Sequence, residues 1–186
     1  LAKVLAISGS LRAASINSAF CRAAARLASP SLQVEVFTGL GALPLFNPDL
    51  EAAPPVAVEA FRMAVAQADA LIIASPEYAH GIAGPMKNAL DWLVSFEPTV
   101  SKPIALVNTS PRARHAHESL RKVLQTMSTC IVAGASTSIP LLGACVTEDA
   151  MVNSAEVSQA IRAVLDALAT HLQGDDNPKH SAMVVK

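Results

Sequence analysis

The feature that most limits how this chain can fold is an alternation. A strand-like segment is followed by a helix-like one, and the pair recurs five times. Val4, Leu5, Ala6 and Ile7 form a short apolar run. Leu32, Val34 and Val36 alternate with Gln33 and Glu35. Residues 70–74 read A-L-I-I-A, 104–107 repeat the apolar pattern, and a fifth strand is expected within 131–139. Helices are expected over 16–29, 56–68, from Pro85 onward, over 116–127 and over 153–172. Their inner stripes are Phe20, Ala23, Ala24 and Leu27; Phe61, Ala64 and Val65; Met86, Ala89, Leu90 and Leu93; and, in the last helix, Val157, Ile161, Val164, Leu165 and Leu168. Runs apolar at successive positions suit strands buried on both faces. Strict alternation then implies a five-stranded parallel sheet between two helical layers, joined by right-handed crossovers. With 186 residues and no second composition regime, one domain over 1–173 is expected, followed by a polar tail over 174–186.

In such sheets ligands bind beyond the carboxyl ends of the strands, where the strand order reverses. Three polar loops follow strands: 8–15, 75–84 and 108–115. They follow strands one, three and four, so the order 2-1-3-4-5 sets them side by side. The first loop sits in V-L-A-I-S-G-S-L-R-A-A-S-I-N and is dense in groups that hold an anion. Gly9 admits a close backbone approach, Ser10 and Ser15 bring hydroxyls, Arg12 a fixed positive charge and Asn17 an amide. The next helix points its free N–H groups and positive dipole end at the same spot. The reading is a phosphate-binding loop; the alternative is a plain strand–turn–helix capped by Ser15 or Asn17. The stretch matches neither G-x-G-x-x-G nor G-x-x-x-x-G-K-[ST]. Hydroxyl and guanidinium groups replace most glycines, which favours one phosphate, such as that of flavin mononucleotide, over a bridged pyrophosphate.

Composition removes other classes. Net charge is −1 with no basic stripe, which argues against nucleic acid. No apolar run approaches the roughly 18 residues of a membrane helix, and no basic-then-apolar signal peptide opens the chain. A chain beginning at Leu1 is expected to have left out an initiator Met. Cys21, Cys130 and Cys145 are odd in number and far apart, which fits a reduced, cytoplasmic compartment. No Cys/His grouping, His80 with His115 and His117 included, has metal-site spacing. Residues 40–55 are irregular and proline-rich yet carry Leu43, Leu45 and Phe46. Packing against the domain is expected for these, with a ligand or partner subunit as the alternative.

The second loop reads S-P-E-Y-A-H-G-I-A-G-P-M-K-N-A-L-D-W over 75–92. Together with G-S-L-R-A-A-S-I-N it closely resembles the NADPH-dependent FMN reductase family, whose members include flavin, quinone, azo and chromate reductases. The resemblance covers residues 2–172 and implies a flavodoxin-like fold with bound FMN and NADPH (or NADH) as co-substrate. By motif position, Ser10, Arg12, Ser15, Ile16 and Asn17 would hold the phosphate and ribityl end. Pro76, Glu77 and Tyr78 would lie along the isoalloxazine, with Ser110 at the third loop. Lys87, Asn88, Asp91 and Trp92 are expected to orient their helix. Three departures stand out. Ala79 replaces the usual Asn, Ala83 replaces Pro before Gly84, and Arg112-Ala113-Arg114-His115 replaces a Gly-Gly pair. Side chains there could narrow the site, weaken binding, add positive charge near the reduced ring, or meet the phosphates of NADPH.

The resemblance implies hydride transfer from NAD(P)H through FMN to a small acceptor (flavin, quinone, azo compound or metal oxyanion) in a ping-pong cycle. No side chain need serve as acid or base, so no catalytic residue and no metal are expected. A homodimer or homotetramer is implied as well. Two competing readings are a flavodoxin-type carrier docking on a protein partner and a family member with weakened flavin binding. Carriers are usually strongly acidic, which a charge of −1 does not match.

Overall fold

The computed structural model describes residues 1–141, 143 and 145–174; the expected polar tail beyond Gly174 lies outside them. Its elements follow the alternation. Strand β1 (Ala2–Ser8) leads to α1 (Ile16–Leu27), β2 (Leu32–Phe37) to α2 (Val56–Gln67), and β3 (Ala70–Ala74) to a small hairpin, β4 (Glu77–Tyr78) with β5 (Gly81–Ile82). Then come α3 (Gly84–Asp91), β6 (Pro103–Val107), α4 (Arg114–Thr126), β7 (Cys130–Ile131), α5 (Glu148–Asn153) and α6 (Ala155–Gln173). The main sheet has five strands in the order β2-β1-β3-β6-β7, all pairs parallel. Without the hairpin strands, that is the order 2-1-3-4-5 read from the sequence.

Successive strand residues feed opposite cores. Val4, Ala6, Ala70, Ile72 and Ala74 pack with Phe20, Ala23 and Ala24 of α1 and Ile161, Val164, Leu165 and Leu168 of α6. Leu5, Ile7, Leu71 and Ile73 pack with Phe61 and Val65 of α2, Met86 and Leu90 of α3, and Leu120 and Leu124 of α4. No residue of β3 is more than 1% exposed, as a central strand requires. Each fully buried Leu or Ile contributes about 1.5–3 kcal/mol, so this two-sided burial fixes the register that sets the three loops side by side.

The structure departs from the sequence reading in three places. The fifth strand is short: after Cys130–Ile131 the chain enters a 3-10 turn, Ala133–Ala135, and parallel pairing resumes just past the end of β6 in an Asn108–Ser138 bridge. The small residues of A-G-A-S allow the detour, and the Ser136 hydroxyl oxygen accepts the Leu106 N–H at 3.0 Å in place of a strand carbonyl. A short helix absent from the sequence reading, α5, precedes the last one, while α6 matches the helix expected over 153–172 to within two residues. Thr147 caps α5 through Ala150 N–H, and Ser154 caps α6 through Val157 N–H. Arg22 and Arg26 of α1 hold α5 by ion pairs to Glu148 and Asp149. The second loop is a hairpin, and Ala79 (φ 48°) and His80 (φ 59°) occupy the positive-φ corner of a two-residue turn.

The proline-rich loop divides its apolar residues. Leu43 is buried, Phe46 stands edge-on to Trp92 at 5.0 Å between ring centroids, and Leu45 is 84% exposed. The loop is held from α3 and the residue that follows it. Asn88 Nδ2 and Trp92 Nε1 both donate to the Pro44 carbonyl at 2.9 and 2.8 Å, and Asn88 Oδ1 accepts from Phe46 N–H. Lys87 pairs with Asp91 at 2.6 Å, one helical turn away.

Candidate functional site

The loops after β1, β3 and β6 converge on a cavity of about 290 Å³, near the lower end of the range for ligand sites, roughly 300–1,000 Å³. Larger grooves of 410 and 440 Å³ lie along α2 and between α3 and α4. The smaller cavity is the candidate because polar groups from three loops meet there. Ser10, Arg12, Ser15, Ile16, Asn17, Pro76, Glu77, Tyr78 and Ser110, all singled out in the sequence, line it. Lys87, Asn88, Asp91 and Trp92 do not.

On the first loop, Gly9 N–H bonds the Ala74 carbonyl at 2.8 Å, tying the end of β1 to the end of β3. A Cβ at Gly9 would stand 2.3 Å from Ser75 Oγ, so only glycine lets the two loops meet this closely. Ser8 Oγ accepts from Ser18 Oγ at 2.9 Å and Ser10 N–H at 3.3 Å. Ser15 caps α1 through Ser18 N–H at 3.1 Å, and the helix supplies no acceptor for the first-turn N–H groups of Ile16 and Asn17. These amides, the Ser10 hydroxyl and the exposed Arg12 guanidinium form a donor-rich end. Ser15 thus serves both readings of the loop: it caps the helix and lines the cavity.

On the second loop, Tyr78 is 57% exposed and so is not a packing residue. Glu77 lines the cavity, but its carboxylate turns to the third loop. Oε2 accepts the Ala116 N–H at 2.8 Å, and Oε1 lies 3.1 Å from His80 Nδ1. His80 in turn meets His115 edge-on at 4.7 Å. The Ala116 N–H, then the His80 hydrogen bond and the charges of His115 and His80, hold the Glu77 carboxyl below its ordinary pKa, outweighing the opposing effect of burial. This bond explains where α4 begins. Ala113, at its N-cap, has no side-chain hydrogen bond to offer, and the helix nevertheless starts at Arg114 because a carboxylate from another loop satisfies its first turn.

The third loop is a tight turn built from its own polar residues. Asn108 Oδ1 accepts from Ser110 N–H at 3.1 Å, Ser110 Oγ from Arg112 N–H at 3.3 Å, and the Ser110 carbonyl from Ala113 N–H at 3.2 Å. Arg112 points outward at the rim, Ala113 is buried in the wall, and the cavity stays open without the glycines. Ala14, Thr109 and Leu141 also line it and were not singled out. Thr109 carried no motif signal, and Leu141 arrives from a segment far from the three loops. Among the described residues no group of three or more metal-ligating side chains forms, and no helix is long and apolar enough to cross a membrane.

An open parallel sheet with a donor-rich loop after its first strand, and two further loops facing it across the reversal point, defines the class of mononucleotide-binding α/β proteins. The family model for NADPH-dependent FMN reductase matches residues 2–141. The chain belongs to that family, and its fold is the flavodoxin-like one. It is 45% identical over 117 residues to an NADPH:quinone oxidoreductase of Arabidopsis thaliana, covering 59% of this chain and 58% of the relative. It is 43% identical over 111 residues to an NAD(P)H-dependent FMN reductase of Pseudomonas aeruginosa, covering 58% and 60%. The chain thus spans less than two thirds of the length of these relatives. A solved flavoenzyme NAD(P)H:(acceptor) oxidoreductase from Paracoccus denitrificans superposes with a TM-score of 0.75 at 24% identity, over 93% of this chain and 98% of that one. That likeness is one of fold.

Proposed function

We propose that the protein is an FMN-dependent oxidoreductase that passes hydride from NAD(P)H to a small acceptor, with quinones and flavins the first candidates given the names of its relatives. One observation carries the reading. The donor-rich turn after β1 faces residues 76–78 and 109–113 across one cavity, so a phosphate-bearing ligand with a flat polar ring has both ends provided for. The chemistry of the lining fits FMN. Arg12 and Arg112 are cationic, and the lining's one carboxylate, Glu77, already spends its acceptors on Ala116 and His80. Ser10, Arg12, Ser15 and the amides of Ile16 and Asn17 would hold the phosphate, and Pro76, Glu77, Tyr78 and Ser110 would border the ring. Bound FMN would supply the hydride chemistry that links NAD(P)H to the acceptor in alternating half-reactions. The chain's own part is to grip, orient and leave a face open; no side chain is assigned proton transfer. The one-domain reading of 1–173, assembly as a homodimer or homotetramer and a cytoplasmic setting belong to the same proposal. The exposed apolar Leu11 and Leu45 and three free cysteines support the last two.

The test is the visible spectrum of freshly purified protein before and after NADPH. A flavin spectrum bleached by NADPH and restored by a quinone is expected. Arg12→Ala and Ser10→Ala should each lower FMN retention. Colourless protein that takes up no added FMN would overturn the reading, and NADPH oxidation only in the presence of a separate reductase would make it a carrier.

A further inference from the structure

Asn17 and Thr109 are 92 residues apart in sequence, and each is almost fully buried, 7% and 3% exposed. They meet at the base of the cavity, where Thr109 Oγ1 donates to Asn17 Oδ1 at 2.8 Å. Thr109 is itself fixed: its carbonyl accepts the Leu141 N–H at 3.2 Å, and its neighbour Asn108 is bonded on both sides to the 137–139 segment. The Thr109 hydroxyl could donate or accept; here it donates, and the nitrogen end of the Asn17 carboxamide is left to face the ligand. A carboxamide has an accepting oxygen and a donating nitrogen on opposite corners. With Oδ1 committed to Thr109, Nδ2 is the half left over. It has no protein partner among the described residues, and no fully buried side-chain nitrogen or oxygen lacks one, so Nδ2 reaches the cavity that Asn17 lines. It stands beside the two unpaired amides of the first turn of α1.

We infer that Thr109 is a positioning residue that holds the Asn17 amide by its oxygen, leaving Nδ2 toward the cavity and so favouring a phosphorylated flavin over its dephosphorylated counterpart. The inference rests on the proposed placement of the phosphate at this turn. A turned-over amide would aim an oxygen at the phosphate oxygens, exchanging a charge-assisted bond for a repulsion between acceptors. Thr109 touches neither the phosphate nor the ring in this account; it acts through Asn17.

The experiment measures FMN and riboflavin affinity by flavin fluorescence quenching, for wild type, Thr109→Val, Thr109→Ser, Asn17→Ala and the Asn17→Ala/Thr109→Val double variant, with apo thermal melts alongside. Valine keeps the shape and removes the hydroxyl, and serine keeps the hydroxyl. Thr109→Val should lower the FMN-to-riboflavin affinity ratio about tenfold, the scale of one charge-assisted hydrogen bond. Thr109→Ser should stay within about twofold of wild type, well under the tenfold step that 1.4 kcal/mol represents. In the Asn17→Ala background Thr109→Val should leave the ratio unchanged. A merely structural role would shift the melt and both ligands together, leaving the ratio constant, and would overturn the inference. An equal drop in the ratio with and without Asn17 would overturn it too. Should Thr109→Val fail to fold, Thr109→Ala takes its place under the same criteria. A wild type that binds riboflavin as tightly as FMN would instead remove the phosphate placement itself, and that result is told apart by needing no variant.

Discussion

Replacing Gly9 by alanine tests whether the first two loops are as close as they stand. The added Cβ would lie 2.3 Å from Ser75 Oγ, 2.8 Å from Ser75 Cβ and 3.0 Å from Met86 Cβ. All three are nearer than ordinary van der Waals contact, and the Gly9 backbone is pinned by its bond to the Ala74 carbonyl. Overpacking of this kind costs about 1–3 kcal/mol, and two contacts under 3 Å put the cost near the top of that range. Against it stands about 0.4–1 kcal/mol from the reduced freedom of the unfolded chain. The net is a destabilisation of about 2 kcal/mol, or a fall of roughly 4–8 °C in Tm for a chain of this size. Ser75→Gly deletes the two nearest atoms, so the Gly9→Ala/Ser75→Gly pair should recover about 1–2 kcal/mol relative to additivity in a double-mutant cycle. Thermal or urea unfolding measures both. Gly9→Ala as stable as wild type, or Ser75→Gly equally costly in both backgrounds, would refute the packing argument.

Glu77 gives a prediction in pH. Its pKa is lowered in the folded state, so its stabilisation is fully present above the unfolded value, about 4.3, and is lost as pH falls through the folded one. The Tm difference between wild type and Glu77→Gln should therefore be level near neutrality and shrink on acidification below about pH 4.3; a difference unchanged down to pH 3 would count against the carboxylate's role. Ala79 holds a φ of 48° at the hairpin corner, where asparagine or glycine is at ease. Ala79→Asn or Ala79→Gly should raise stability by about 0.5–1 kcal/mol, and unchanged or lower Tm in both would show that the turn carries no such strain. Burial pushes the Cys21 thiol up to about 12, so it should react with a thiol reagent only on unfolding; labelling at the rate of a small free thiol in the native state would contradict its placement in the core.

Much of this was legible in the sequence for a physical reason. Apolar runs such as A-L-I-I-A at 70–74 admit one burial solution, and the alternation left one sheet order in which three polar loops become neighbours. The first loop displayed its donor-rich character in residue types, the close succession of donors that the proposed phosphate site would need. What stayed hidden depends on contacts distant in sequence. The early start of α4 rests on Glu77, 39 residues away from Ala116. The truncation of β7 rests on a serine hydroxyl standing in for a carbonyl at Leu106. Thr109 shows its importance only where it meets Asn17. Helix α5 was hidden because its six residues bury Met151 alone and form no stripe; the stripe from Val157 to Leu168 lies wholly within α6.

The cross-loop contacts close a ring. Loop one touches loop two where Gly9 packs on Ser75, loop two reaches loop three where Glu77 caps α4, and loop three returns to loop one through Thr109 and Asn17. Each contact joins segments that separate strands already hold apart at fixed spacing, so the three loops constrain one another before any ligand arrives. A site built this way pays little ordering entropy on binding. It also explains how the third loop tolerates Arg112 and Ala113 in place of glycines: its path is set by Asn108, Thr109 and Glu77 rather than by freedom of its own backbone. If so, lesions in two of the three contacts should not add. Glu77→Gln and Thr109→Val combined should change FMN affinity by an amount that differs from the sum of the single effects by at least about 0.5 kcal/mol, the threshold at which coupling is distinguishable. Strict additivity would mean three independent loops that happen to share a cavity.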